Sequence, residues 1–147
     1  MEYVTLNNGI KMPKIGFGAM MMNEIEQTEE IVYNAIKTGY RLIDTAASYM
    51  NEEFVGKAIK RAISDGLVKR EELFIVTKLW FQDMKNYGDA KKAIEASLEK
   101  LKLEYIDLYL EHQAMGDYFA SWKAMEDAYK AGKLKAIGVA NFFQMYL

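Results

Sequence analysis

Short apolar runs rich in β-branched and aromatic residues recur along this chain at a nearly constant interval. They begin at Ile15 (IGFG), Arg41 (RLIDTA), Leu73 (LFIVTKL), Ile106 (IDLYLEH) and Ala136 (AIGVAN), so successive starts lie 26, 32, 33 and 30 residues apart. Each interval holds one strand, one helix and two loops. The segments between the runs carry helical periodicity. Ile31, Val32, Ala35 and Ile36 form one stripe, Phe54, Val55, Ala58 and Ile59 a second, and Ala90, Ala93, Ile94, Ser97, Leu98 and Leu101 a third, while Phe119, Trp122 and Met125 open a fourth. Strands that alternate with helices pair in parallel, because a parallel connection needs a crossover of this length. The pattern therefore predicts five parallel strands with four helices.

Punctuation agrees with that reading. Asn51, followed by Glu52 and Glu53, together with Asp89 and Asp117, is expected to serve helix N-terminal turns. Gly39, Gly66 and Gly132 stand where a helix end wants a left-handed residue. Ahead of the first repeat, YVTL and IKMP flank Asn7-Asn8-Gly9, which reads as a β-hairpin closed by the only proline, Pro13. No linker or low-complexity stretch interrupts residues 1–147, so a single domain is expected.

Composition narrows the function. A net charge of -2 with no block of five like charges argues against nucleic acid or an anionic membrane as partner. The apolar stretch from Ile15 to Met22 is far shorter than the ~20 residues of a spanning helix, and no signal-peptide pattern is visible, so a cytoplasmic protein is expected. With no cysteine and one histidine, neither disulfides nor a metal site is expected.

In βα-repeat proteins the loops leaving the C-terminal strand ends build the site. Here those ends carry Asp44, with Tyr49 five residues later, then Lys78 and Trp80, then His112 and Gln113, and finally Asn141. Taken singly each has a plain structural reading: Lys78 and Asp44 an ion pair, Tyr49 one of ten tyrosines, His112 a strand-end residue. Four different proton-handling groups on one rim are not what structure alone requires. A phenol, which ionises near ~10, is a poor acid at neutral pH, and a neighbouring ammonium favours its phenolate. Tyr49 beside Lys78, with Asp44 keeping the ammonium charged and His112 orienting a carbonyl, would make a proton donor to carbonyl oxygen. Hydride would have to come from a cofactor.

GFGAMM, GYRLIDTAASYMNEEFVGKAI, ELFIVTKLW, LEYIDLYLEHQ and GKLKAIGVANF together resemble the aldo-keto reductases, over essentially the whole chain. The resemblance implies part of a (β/α)8 TIM barrel, NADPH as cofactor and reduction of an aldehyde or ketone to an alcohol. It assigns Tyr49 as proton donor, Lys78 and Asp44 as the groups that tune it, and His112 as the residue that orients the substrate. Trp80 matches a pocket-lining aromatic. Asn141 matches the residue holding the nicotinamide carboxamide, and Asp44 also falls on the cofactor side.

Three positions depart from the family pattern: Ala140 stands for a serine, Ala114 for a proline, and Glu111 for an apolar residue facing the helix layer, where an unpaired charge is costly. A (β/α)8 barrel takes ~250 residues, so the resemblance places strands six to eight, and most of the cofactor contacts, outside these 147 residues. The chain alone is therefore expected not to turn over, and to self-associate through open sheet edges.

Two other readings compete. A flavodoxin-like or receiver-like open sheet suits the length. However, the loop Ala19-Met20-Met21-Met22 lacks a phosphate cradle, and Gly16-Phe17-Gly18 is followed by Met21 where a dinucleotide fingerprint needs glycine. A non-catalytic interaction fragment of the same fold would use Met20 to Met22, Trp80, Phe81, Phe142 and Phe143 as an adhesive surface.

Overall fold

The computed structural model of the chain describes residues 1–20 and 25–143. Met21 and Met22, and the end of the apolar tail from residue 144, lie outside them. The hairpin forms as read: β1 (Tyr3–Thr5) pairs antiparallel with β2 (Lys11–Pro13). Gly9 supplies the positive φ of 86° that the turn requires.

Next come β3 (Gly16–Gly18), α1 (Ile25–Lys37), β4 (Leu42–Asp44), α2 (Glu52–Ser64) and β5 (Phe74–Leu79). They are followed by α3 (Tyr87–Leu101), β6 (Leu108–Glu111), α4 (Tyr118–Lys130) and β7 (Ile137–Val139). Among the described residues, β3 to β7 form one sheet in chain order, every neighbouring pair parallel. That order separates the competing architectures. A doubly wound sheet reverses its strand order at a switch point, whereas this one never does. Right-handed crossovers in unbroken sequence put all the helices on one face, and α1, α2, α3 and α4 indeed pack each against the next.

Ile43, Ile75, Leu79 and Tyr109 fill the helix side, against Val32, Ile36, Val55, Ile59, Ile94 and Met125. Gly56 permits α2 to approach α3: a Cβ there would stand 2.5 Å from the Leu101 carbonyl oxygen. With a side-chain period of two, Asp44, Val76 and Lys78 share the opposite, inner face.

Several details differ from the sequence reading. Gly39, Gly66 and Gly132 do take positive φ, and Asp117 caps α4 through Ala120 N–H. Asp89 stands in the first turn of α3 as expected, while the cap itself is Asn86, whose side chain accepts from the Asp89 N–H and donates to the Asp89 carboxylate. Asn51 does stand at the N-cap of α2, its carbonyl accepting from the Phe54 and Val55 N–H groups, but its side chain makes no cap bond because it is used elsewhere. Ile31 and Phe119 are exposed and do not belong to their helices' buried stripes; on α4 Ser121 and Ala124 are buried with Met125 instead. Ser121 is buried because it meets Glu111, its hydroxyl lying 2.5 Å from Oε1, so the helix-facing carboxyl has a partner. Burial pushes that carboxyl's pKa up to about 7, opposed by the Ser121 hydrogen bond.

Candidate active site

Parallel pairing sets the strand ends side by side. Asp44 closes β4, Lys78 is the next-to-last residue of β5, Trp80 follows β5 directly, and His112 follows β6 directly. Lys78 Nζ donates to both Asp44 oxygens, at 2.7 and 2.8 Å, and to the Thr45 carbonyl at 3.0 Å. Three acceptors thus match the three N–H groups of the ammonium. Nζ lies 5.2 Å from the Tyr49 ring centroid.

Tyr49 sits on a single 3-10 turn, Ala47–Tyr49, ending at Met50 with a left-handed φ of 58°. A non-glycine residue keeps that conformation only where its surroundings fix it. The clamp is Asn51, almost fully buried. Its Oδ1 accepts from the Thr45 hydroxyl at 2.7 Å, and its Nδ2 donates to the Ala19 carbonyl at 2.8 Å. It ties the turn to the end of β4 and to the loop after β3. The sequence reading assigned Asn51 to a helix cap, and nothing in local periodicity marks its two partners.

The His112 ring meets Tyr49 edge to face, with centroids 5.8 Å apart at 77°, and Trp80 at 5.3 Å and 67°. Its Nδ1 lies 3.3 Å from the Ser48 hydroxyl. Burial lowers the imidazole pKa, the Lys78 ammonium lowers it further, and Asp44 opposes, which together favour the neutral ring. Asn141, with φ 57° just beyond β7, donates its Nδ2 to the His112 carbonyl at 2.9 Å. Asp44, Tyr49, Lys78, Trp80, His112 and Asn141 therefore gather at one rim. Ser48 and Asn51 were missed, though both lie within two residues of Tyr49. Among the described residues no cluster of His, Cys, Asp or Glu could hold a metal ion, and no helix is long and apolar enough to cross a membrane.

Comparison with known proteins gives the same answer from another direction. Residues 14–144 match the model of the aldo/keto reductase family. Glyoxal reductase of Bacillus subtilis is 49% identical over 142 residues, covering 96% of this chain and 50% of that protein. The solved structure of Bombyx mori aldo-keto reductase in complex with NADP superposes with a TM-score of 0.88 at 40% identity, covering 94% of this chain and 50% of that one. An aldo/keto reductase structure from Brucella melitensis gives a TM-score of 0.92 at 38% identity, covering 99% and 56%. The chain thus spans about half the length of the relatives it matches. A family model that covers nearly the whole sequence, and a parallel sheet that superposes on solved members, show that the chain belongs to the aldo/keto reductase family.

Proposed function

We propose that these residues are the proton-handling part of an NADPH-dependent carbonyl reductase that converts an aldehyde or ketone to an alcohol. The observation that carries this reading is the convergence of Lys78, Asp44, Tyr49 and His112 on one strand-end rim. The residues present suit the nicotinamide end of the cofactor. Asp44 keeps 32% of its side chain exposed although it is paired with a Lys78 that keeps only 10%, so its carboxylate can still accept from a sugar hydroxyl. Asn141 is exposed, and with Nδ2 on the His112 carbonyl its Oδ1 remains the acceptor for a carboxamide N–H. Bound there, reduced nicotinamide supplies the hydride that no side chain can.

The Tyr49 O–H would give its proton to the carbonyl oxygen and become phenolate as the carbonyl is reduced. The Lys78 ammonium stabilises that charge across a gap partly shielded from water, where Coulomb attraction is stronger than in bulk. Asp44 fixes the ammonium in place. Neutral His112 donates to the same carbonyl oxygen and orients it, Trp80 walls the substrate side, and solvent returns a proton to Tyr49. Among the described residues we assign Asp44 and Asn141 to the cofactor, so we expect the 147 residues alone to bind NADPH weakly and not to turn over.

The test replaces the matching segment of Bacillus subtilis glyoxal reductase with this chain. A folded chimera should bind NADPH saturably and consume it when a small aldehyde is added. A folded chimera that binds no NADPH, or binds it and reduces nothing, would overturn the proposal.

A further inference from the structure

We infer that Ser48 selects the tautomer of His112: its hydroxyl donates to Nδ1 and thereby keeps the ring proton on Nε2, the nitrogen left to face a substrate oxygen. The inference deepens the carbonyl-reduction reading and rests on it for its functional meaning. Its structural basis is separate.

A neutral imidazole has one donor and one acceptor nitrogen, and the partner of one nitrogen decides the role of the other. Burial together with the Lys78 ammonium favours that neutral form. Around the ring, Trp80 and Tyr49 present aromatic edges and faces at 5.3 and 5.8 Å, which hold the ring plane but exchange no proton with it. Among the described residues, the one hydrogen-bonding side chain at the ring is Ser48, 3.3 Å from Nδ1. The main chain of His112 is fixed on both sides. Its N–H donates to the Leu79 carbonyl at 3.0 Å, and its own carbonyl accepts from Asn141 Nδ2. The ring therefore has little freedom to seek another partner.

A serine hydroxyl can donate or accept, so the two arrangements must be weighed. If Nδ1–H donated to Ser48, Nε2 would turn a lone pair toward the lone pairs of a carbonyl oxygen and repel it. If Ser48 donates to Nδ1, Nε2–H attracts that oxygen. Ser48 directly precedes Tyr49 on the same 3-10 turn. One short segment would thus place the proton donor and set the hydrogen-bonding sense of the group that orients the acceptor. Ser48 is a positioning residue in this account, since it acts through His112.

His112 is the only histidine in the chain, so nitrogen-15 labelling of histidine gives an unambiguous spectrum of this one ring. In long-range proton–nitrogen spectra of the 147-residue chain near pH 7, the protonated nitrogen should be Nε2. Ser48→Ala should lower the ratio of the Nε2–H to the Nδ1–H form about five-fold, the change one net hydrogen bond supports. Ser48→Thr should restore it. If Ser48→Ala fails to give a native amide spectrum, Ser48→Val removes the donor at larger side-chain volume. A wild-type ring protonated on Nδ1, or a donor-less variant with an unchanged ratio, would overturn the inference. Because the readout is nitrogen shifts and not turnover, either result would leave the carbonyl-reduction proposal to its own NADPH test.

Discussion

Two ion pairs stand at opposite ends of the same parallel sheet. At the N-terminal strand ends, Arg70 Nη2 donates to Asp107 Oδ2 at 2.7 Å and to the Tyr105 carbonyl, while Nη1 donates to the Leu73 carbonyl. The Ile75 N–H adds a second bond to the same Asp107 oxygen, and the guanidinium stacks 4.1 Å from the Tyr105 ring centroid. Both side chains are mostly covered, and burial raises the Asp107 pKa despite the Arg70 charge. At the C-terminal ends, Lys78 is buried but its carboxylate partner is not, and a phenol and an imidazole stand next to it. The chemistry of the two pairs is nearly the same. What differs is exposure: both members of the Arg70 pair are covered, whereas the Asp44 carboxylate of the Lys78 pair stays partly exposed at the rim. In βα-repeat folds the first end reads as stability and the second as activity.

Breaking each pair in turn should separate those roles. Lys78→Met in the glyoxal reductase chimera should cut carbonyl turnover by about 10²–10³-fold, the loss expected when a fixed charge near developing negative charge is removed. The fall in unfolding free energy should be smaller than for the other pair, as measured by denaturant titration. Arg70→Met should do the reverse. Leaving Asp107 buried without its partner should cost about 3–5 kcal/mol of stability, while turnover per folded molecule stays near the parent value. Equal loss of activity in both variants would erase the distinction.

A pH experiment sharpens the contrast at another buried acid, on the helix side of the sheet. The Glu111 pKa is raised from 4.5 to about 7 in the folded chain. Between those values the folded state holds a proton that the unfolded chain has released, so stability is fullest below about 4.5 and falls as pH rises through about 7. The loss should be at most about 3 kcal/mol, and Glu111→Gln should flatten this part of the curve. Thermal melts from pH 5 to 8 on both proteins check it. A smaller effect is expected from Asn51→Ala, which strands the Ala19 carbonyl and the Thr45 hydroxyl and should cost about 1–3 kcal/mol. It should also broaden the amide resonances of residues 47–50, where the clamp holds Met50 at positive φ.

Local features of the sheet were legible in the sequence and long-range contacts at both of its ends were not. The hairpin, the five strands and the rim residues Asp44, Lys78, His112 and Asn141 could be read because each depends on local period, turn chemistry and the rule that strand ends build sites. The Arg70–Asp107 pair, the Asn51 clamp and the Glu111–Ser121 contact could not. Their partners lie 37, 32 and 10 residues apart, and no periodicity encodes which residues a helix layer brings opposite one another. The same limit explains Phe119: a helical stripe gives spacing but not which side of the stripe a neighbouring helix will cover, and that residue ends up 77% exposed.

The central claim is that the Tyr49 hydroxyl, supported by Lys78, delivers the proton. The most direct test is Tyr49→Phe in the chimera, with NADPH affinity and single-turnover rate measured on the same preparation. The account predicts an unchanged Kd for NADPH and a rate lower by about 10²–10⁴-fold. A Tyr49→Phe variant that still reduces the aldehyde at the parent rate would contradict it.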